Sequence, residues 1–143
     1  MSARRVLDAS VAVAVNVPEA ASEACMTLID ETRERLVPDI FFAEYGNAVW
    51  KRRMRGDITA EQASIAMEWL GDLDVETVPC RDHIAEAVEL AIAMGQPVYD
   101  CLYLVLASLY DAELVTLDTN LAAAARLAGV GVTVPLSGSF RAP

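Results

Sequence analysis

Ten consecutive residues, Cys101-Leu102-Tyr103-Leu104-Val105-Leu106-Ala107-Ser108-Leu109-Tyr110, carry no charge. The run has helical length, and a helix that is apolar on all sides belongs inside a protein. It is preceded by Gln96-Pro97-Val98-Tyr99-Asp100 and followed by Glu113-Leu114-Val115-Thr116-Leu117-Asp118, which reads as a strand ending beside an acid. Asp100 opens the helix, so a carboxylate is delivered to the edge of a core. Ionising it there is costly unless donors or a cation meet it.

The 143 residues suffice for one domain with a sizeable core, expected to span 1–143. A hydrophobic content of 55% with 22% charged residues suits a globular chain and excludes a disordered one. The largely apolar stretch 94–110 is broken by Pro97 and Asp100 and is too short to cross a membrane. The opening Met1-Ser2-Ala3-Arg4-Arg5-Val6-Leu7-Asp8 has no apolar stretch of the kind a signal peptide needs. The expected location is therefore the cytoplasm, with no membrane partner. Cys25, Cys80 and Cys101 form no close pair, which fits reduced thiols, most simply small core residues. His83 is the single histidine. That excludes a histidine-rich zinc site, and no nucleophile-elbow pattern makes a serine triad. The ordinary role for His83 is a surface position on a helix.

Strands and helices alternate throughout. Strands are expected at 4–8, 75–78, 114–116 and 132–134, and 36–38 is expected as a short strand or extended link. Helices are expected from Ser10, over 19–33, over 41–55 with Gly56 as stop, and over 59–70 with Thr59 as N-cap. Another is expected over 81–94, with Ile84, Val88 and Ala91 inward, closed by Gly95. The uncharged helix follows, then one over 118–128. Gly46 is expected to admit another backbone closely. No Pro-, Gly- or Ser-rich linker divides the chain. The reading is an α/β protein with a mainly parallel sheet covered on both faces. Sites in such sheets form beyond the carboxyl ends of the strands.

Asp8 and Asp118 fall just past strand ends, and Asp100 can reach the same edge. Each has a plainer role as a helix cap. Glu44 lies among aromatic residues in the first turns of its helix, on a face with Asn47, Ala48 and Lys51, and its plainer role is a surface pair with Lys51. Together the acids weigh more than singly, because gathered carboxylates stay ionised only with a cation among them. Oxygen donors without His or Cys select Mg²⁺ or Mn²⁺. Such ions activate water, hold a phosphodiester in line and stabilise the leaving oxygen.

The pieces Val6-Leu7-Asp8-Ala9-Ser10, Ala43-Glu44-Tyr45-Gly46-Asn47-Ala48, Tyr99-Asp100-Cys101-Leu102-Tyr103-Leu104 and Leu114-Val115-Thr116-Leu117-Asp118 resemble the motifs of PIN-domain ribonucleases, closest to the VapC-type toxins of bacterial toxin–antitoxin pairs. Order, spacing and chain length agree. The resemblance implies a PIN-like fold, a small parallel sheet flanked by helices, with a Mg²⁺ or Mn²⁺ site. It implies Asp8 and Asp100 as principal ligands, with Glu44 and Asp118 completing the acidic site. Ser10 and Thr116 would be supporting hydroxyls. It also implies an RNA substrate cleaved by metal-activated water, a homodimer, and a cognate VapB-type antitoxin whose tail covers the acidic groove. The expected wall of that groove is 19–55.

The net charge of −10 is unusual for a nucleic-acid binder. The only dense basic cluster is Lys51-Arg52-Arg53-Met54-Arg55. It complements a helix dipole, and it also offers RNA phosphates a strip one helix length from Glu44. Two other readings remain open. A phosphatase with Asp8 as nucleophile usually needs an acid two positions on, where Ser10 stands. A non-catalytic acidic module would only sequester a basic partner.

Overall fold

The computed structural model describes residues 4–136. Positions 1–3, part of the N-terminal reading, and 137–143, the end of the expected domain span, lie outside the described residues. Among the described residues, five strands make one sheet: β1 (Arg4–Leu7), β2 (Glu34–Pro38), β3 (Glu76–Val78), β4 (Glu113–Val115) and β5 (Val132–Thr133). Their order is β3-β2-β1-β4-β5, and every neighbouring pair is parallel. The chain runs outward from β1 in one direction, then returns to add β4 and β5 on the other side. The switch falls between β1 and β4, where parallel sheets place their ligands.

Among the described residues, seven helices cover the two faces: α1 (Ala9–Asn16), α2 (Ser22–Glu31), α3 (Ile40–Arg55), α4 (Ala60–Asp72), α5 (Ile84–Met94), α6 (Val98–Leu109) and α7 (Thr119–Leu127). Successive strand side chains point to opposite faces. Leu7, Val37 and Val115 face one core with Val11, Phe41, Tyr45 and Leu70 of α1, α3 and α4. Val6, Leu36 and Leu114 face the other, with Tyr103 and Leu106 of α6 and Leu121 of α7. Seven consecutive residues of α6, Cys101 to Ala107, are buried, because α5 packs on its outer side. Each fully buried leucine or valine contributes roughly 1.5–3 kcal/mol, so α6 anchors both its sheet face and α5.

The local signals act as expected at several ends. Gly56 stops α3 at φ 81°, a left-handed conformation that costs glycine little. Thr59 accepts from the Gln62 N–H while the Gln62 side chain returns the bond, a complete capping box.

Other expectations need correction. The helix expected over 19–33 begins only at Ser22, because Ser22 Oγ accepts the Glu19 N–H and holds that residue in the preceding turn. The stretch 81–94 splits into a short 3₁₀ turn, Cys80–Asp82, and α5. Ile84 and Val88 point outward, 43% and 39% exposed, while Ala87 is fully buried. α5 is apolar on two faces, and the small Ala87 is the side chain packed beside Cys101 and Leu102. Nothing approaches within 4 Å of a Cβ built on Gly46, so no close backbone passes there. Cys25 and Cys101 are buried and Cys80 is half-buried, all free thiols. His83 sits at the turn before α5, its Nδ1 buried and 3.5 Å from Glu86 Oε1, rather than on an open helix surface. No single helix among the described residues is long and apolar enough to cross a membrane.

Candidate metal and active site

Asp8 is the first residue after β1 and occupies the N-cap position of α1, but its side chain does not cap. Its Oδ2 accepts two hydroxyl protons instead, from Ser10 Oγ at 2.6 Å and Thr116 Oγ1 at 2.7 Å. Each hydroxyl also accepts a backbone proton from the loop after β4. Ser10 Oγ takes the Leu117 N–H at 3.1 Å, and Thr116 Oγ1 takes the Asp118 N–H at 2.9 Å. The two hydroxyls therefore lock the β1 exit to the β4 exit. Asp8 is buried, and burial pushes its carboxyl above the ordinary range despite those two bonds; Asp118 adds to the rise.

Asp118 caps α7, with Oδ1 accepting from the Asn120 and Leu121 N–H groups at 2.9 and 3.2 Å. It is exposed, so capping and a place at the cleft coexist. Asp100 is neither the first residue of its helix nor a cap: Pro97 holds the N-cap position, and Asp100 lies in the first turn of α6. Burial raises its carboxyl, and Asp118 and Asp8 raise it further. Glu44 makes no pair with Lys51. Its Oε1 accepts the Tyr103 hydroxyl at 2.6 Å. Burial raises the Glu44 carboxyl, the Tyr103 bond lowers it, and Asp8 and Asp100 raise it again. Asp8 and Asp100 thus each feel Asp118, and Glu44 feels Asp8 and Asp100, at the carboxyl edge of β1 and β4.

A cleft of about 420 Å³ opens there, lined by Asp8, Ser10, Glu44, Asp118, Glu19 and Arg52 among others. Glu44, Ala48 and Arg52 recur every four residues on α3, so one helix face carries an acid and a cation into the cleft. Of the basic cluster, Lys51, Arg53 and Arg55 are exposed and do not line it; Arg52 is half-buried, with Nη2 3.9 Å from Glu19 Oε2. The strip read from sequence therefore narrows to one residue at the cleft. A second hollow of about 410 Å³ lies between α5, α6 and the turn before β5, lined mainly by apolar side chains. Size does not separate the two; the second carries Glu86 and Glu89, whereas the first brings together acids from separate elements, Asp8, Glu44 and Asp118.

Among the described residues, no three His, Cys, Asp or Glu side chains stand close enough to ligate one ion together. The donor set nevertheless fits a hard divalent cation. Mg²⁺ is usually held by one or two carboxylates and keeps several waters. Three of these acids are raised by burial and mutual repulsion, the imbalance that a cation removes. His83 does not line the cleft. Sequence reasoning passed over Tyr103 and Glu19. Tyr103 carried a signal, a hydroxyl three residues after Asp100 in an otherwise apolar helix; Glu19 carried none.

The sequence matches the family described as PIN domain over residues 5–127. It is 32% identical over 119 residues to Ribonuclease VapC3 of Pyrobaculum aerophilum, covering 82% of this chain and 91% of that protein. The crystal structure of PAE2754, also from Pyrobaculum aerophilum, superposes with a TM-score of 0.69 at 25% identity, covering 90% of this chain and 83% of that one. A toxin–antitoxin complex from Klebsiella pneumoniae superposes with a TM-score of 0.65 at 18% identity, covering 93% and 98%. At that identity the likeness is one of fold.

Proposed function

The chain belongs to the PIN-domain family, and from that premise we propose that it is a Mg²⁺- or Mn²⁺-dependent endoribonuclease of the VapC toxin type, restrained by a cognate VapB-type antitoxin. The observation that carries the reading is that Asp8, Glu44 and Asp118 line one cleft beyond the β1–β4 switch point, while Asp100, outside that lining, still feels the Asp8 and Asp118 charges. The 32% identity to a VapC ribonuclease gives that convergence its substrate class.

A divalent ion at the cleft would activate water and stabilise the leaving oxygen of an in-line displacement. Asp8 and Asp100 are the principal residues to hold it, from a loop and a helix that the core fixes rigidly. Asp118 and Glu44 complete the acidic set and orient water. Ser10 and Thr116 keep the Asp8 carboxylate from rotating. Arg52 offers a planar, permanently charged fork to a substrate phosphate, which would draw it away from Glu19. No histidine is required as base, in keeping with the position of His83 away from the cleft.

The whole chain acts as a single PIN-like domain in the cytoplasm. The antitoxin covers the acidic cleft, whose negative charge attracts arginine side chains. Glu19 and α3, within the expected wall 19–55, line the cleft, and α1, outside that range, lines it as well. Self-association is supported by the outward stripe Ile84, Val88 and Ile92 of α5, with Ile92 79% exposed.

Purified protein should cleave RNA with Mg²⁺ or Mn²⁺ and stop when chelator is added. Asp100→Ala should lose more than the ~10–100-fold typical of removing a group behind a metal ligand, with the fold retained by circular dichroism. Full cleavage by Asp100→Ala in Mg²⁺, or by the wild type in chelator, would sink the reading.

A further inference from the structure

Tyr103 is 1% exposed and its ring packs among the apolar side chains of the α6–α7 core. A phenylalanine would fill the same volume. The hydroxyl is thus a polar atom the core does not ask for, and burying it is costly unless it finds a partner. The partner is Glu44 Oε1 at 2.6 Å, the short distance of a hydroxyl donating to a carboxylate. Glu44 sits on α3, whose buried face belongs to the other core. One hydrogen bond therefore joins two helices from opposite layers, and it does so between two acid-bearing elements. Tyr103 lies three residues after Asp100, one turn along α6. The phenol is pushed up by burial and by the neighbouring Asp8 and Glu44, so it stays a donor throughout the neutral range.

We propose that Tyr103 is a positioning residue of the acidic site: its hydroxyl fixes the Glu44 carboxylate against α6, so that Glu44 and Asp100 are presented to a divalent ion as a preset pair. This rests on the metal-nuclease reading above and adds a residue to it. Without the bond, the Glu44 side chain has three free torsions and the ordering cost returns when the ion binds. Glu44 is half-buried, so water can replace the lost donor and the fold survives.

The test is a double-mutant cycle on the full-length protein, read by Mn²⁺ titration followed by electron paramagnetic resonance. Tyr103→Phe should bind Mn²⁺ about tenfold or more weakly, as removal of a group behind a ligand does. The metal-free Tm should stay within about 10 °C of wild type, the scale of one lost hydrogen bond. In a Glu44→Gln background the same substitution should change Mn²⁺ affinity no further, because the group it positions is gone. A smaller loss in the single variant, an equal loss in both backgrounds, or a larger fall in Tm would overturn the inference; the last would make Tyr103 a packing residue. Asp8→Asn separates the two levels. Wild-type Mn²⁺ affinity in that variant would remove the metal reading and this inference with it. Lost affinity there, beside an unaffected Tyr103→Phe, overturns the inference alone.

Discussion

At the amino ends of the strands, Arg5 Nε meets Glu113 Oε1 at 2.9 Å and Arg4 Nε meets Glu34 Oε1 at 2.8 Å. Glu113 also accepts from Thr133 Oγ1, and Arg5 donates to Thr32 Oγ1. At the carboxyl ends of β1 and β4, three to five residues further on, Asp8 and Asp118 meet other carboxylates. The amino edge is electrically settled, and its ion pairs stitch neighbouring strands together. The carboxyl edge holds hydroxyls that steady Asp8 and no matching cation beyond Arg52 among the described residues lining the cleft. One sheet therefore carries a stabilising end and an end whose charge is left unmatched. An unmatched buried charge weakens a fold, so its presence points to work done on a ligand.

After loss of the Asp100 carboxylate itself, the largest expected effect tests the hydroxyl lock. Thr116→Val keeps the shape of a fully buried side chain but removes one donor to Asp8 and the acceptor for the Asp118 N–H. Metal affinity and cleavage should fall ~10–100-fold, measured by Mn²⁺ titration and by RNA cleavage. Unchanged affinity would show that the carboxyl edge does not depend on its hydroxyls. Next comes the settled edge. Arg5→Ala breaks a part-buried charged hydrogen bond to Glu113 and should cost about 1–3 kcal/mol in denaturant unfolding, while Mn²⁺ affinity stays as in wild type. A loss of affinity there would mean the two ends are coupled through β1.

The smallest effect is in pH. Asp8, Glu44 and Asp100 have folded-state values raised above the ordinary 3.8 and 4.5. Between those ordinary values and the raised ones, the folded chain holds more protons than the unfolded chain. Stability contributed by these groups therefore grows as pH falls from neutral through that window, and is lost again as pH rises. Exposed Asp39 is shifted downward by its hydrogen bond from Cys80 and opposes this weakly. Comparison with Asp8→Asn in chelator isolates the contribution. The wild-type Tm should gain on the variant as pH is lowered, and Mg²⁺ should flatten the difference. Parallel Tm curves in chelator would show the carboxyl edge to be no more strained than the amino edge.

Much of this was legible in the chain because it depends on near neighbours. An uncharged ten-residue run must be largely interior, as its first seven residues are, Gly56 must end a helix, and Thr59 with Gln62 must begin one. Acids that follow apolar strand segments reach the edge of a parallel sheet wherever the sheet is built. The α5 face was illegible for a specific reason. Ile84-Ala85-Glu86-Ala87-Val88 is apolar on two sides, so periodicity could not choose, and the fit of Ala87 beside Cys101 and Leu102 did. The Glu44–Lys51 pair failed because an exposed ion pair contributes little and a buried phenol competes strongly for the same carboxylate.

The sequence by itself determined that this protein has an α/β fold with a buried apolar helix and that Asp8 and Asp118 lie at strand ends, since burial and capping are decided by residues a few positions apart. Only the tertiary structure decided which hydroxyl meets which acid. Thr116 reaches Asp8 across 108 positions and Tyr103 reaches Glu44 across 59. A hydrogen bond of that span leaves no periodic trace in a chain. It exists because two layers, each packed for its own core, happen to end at the same edge of the sheet.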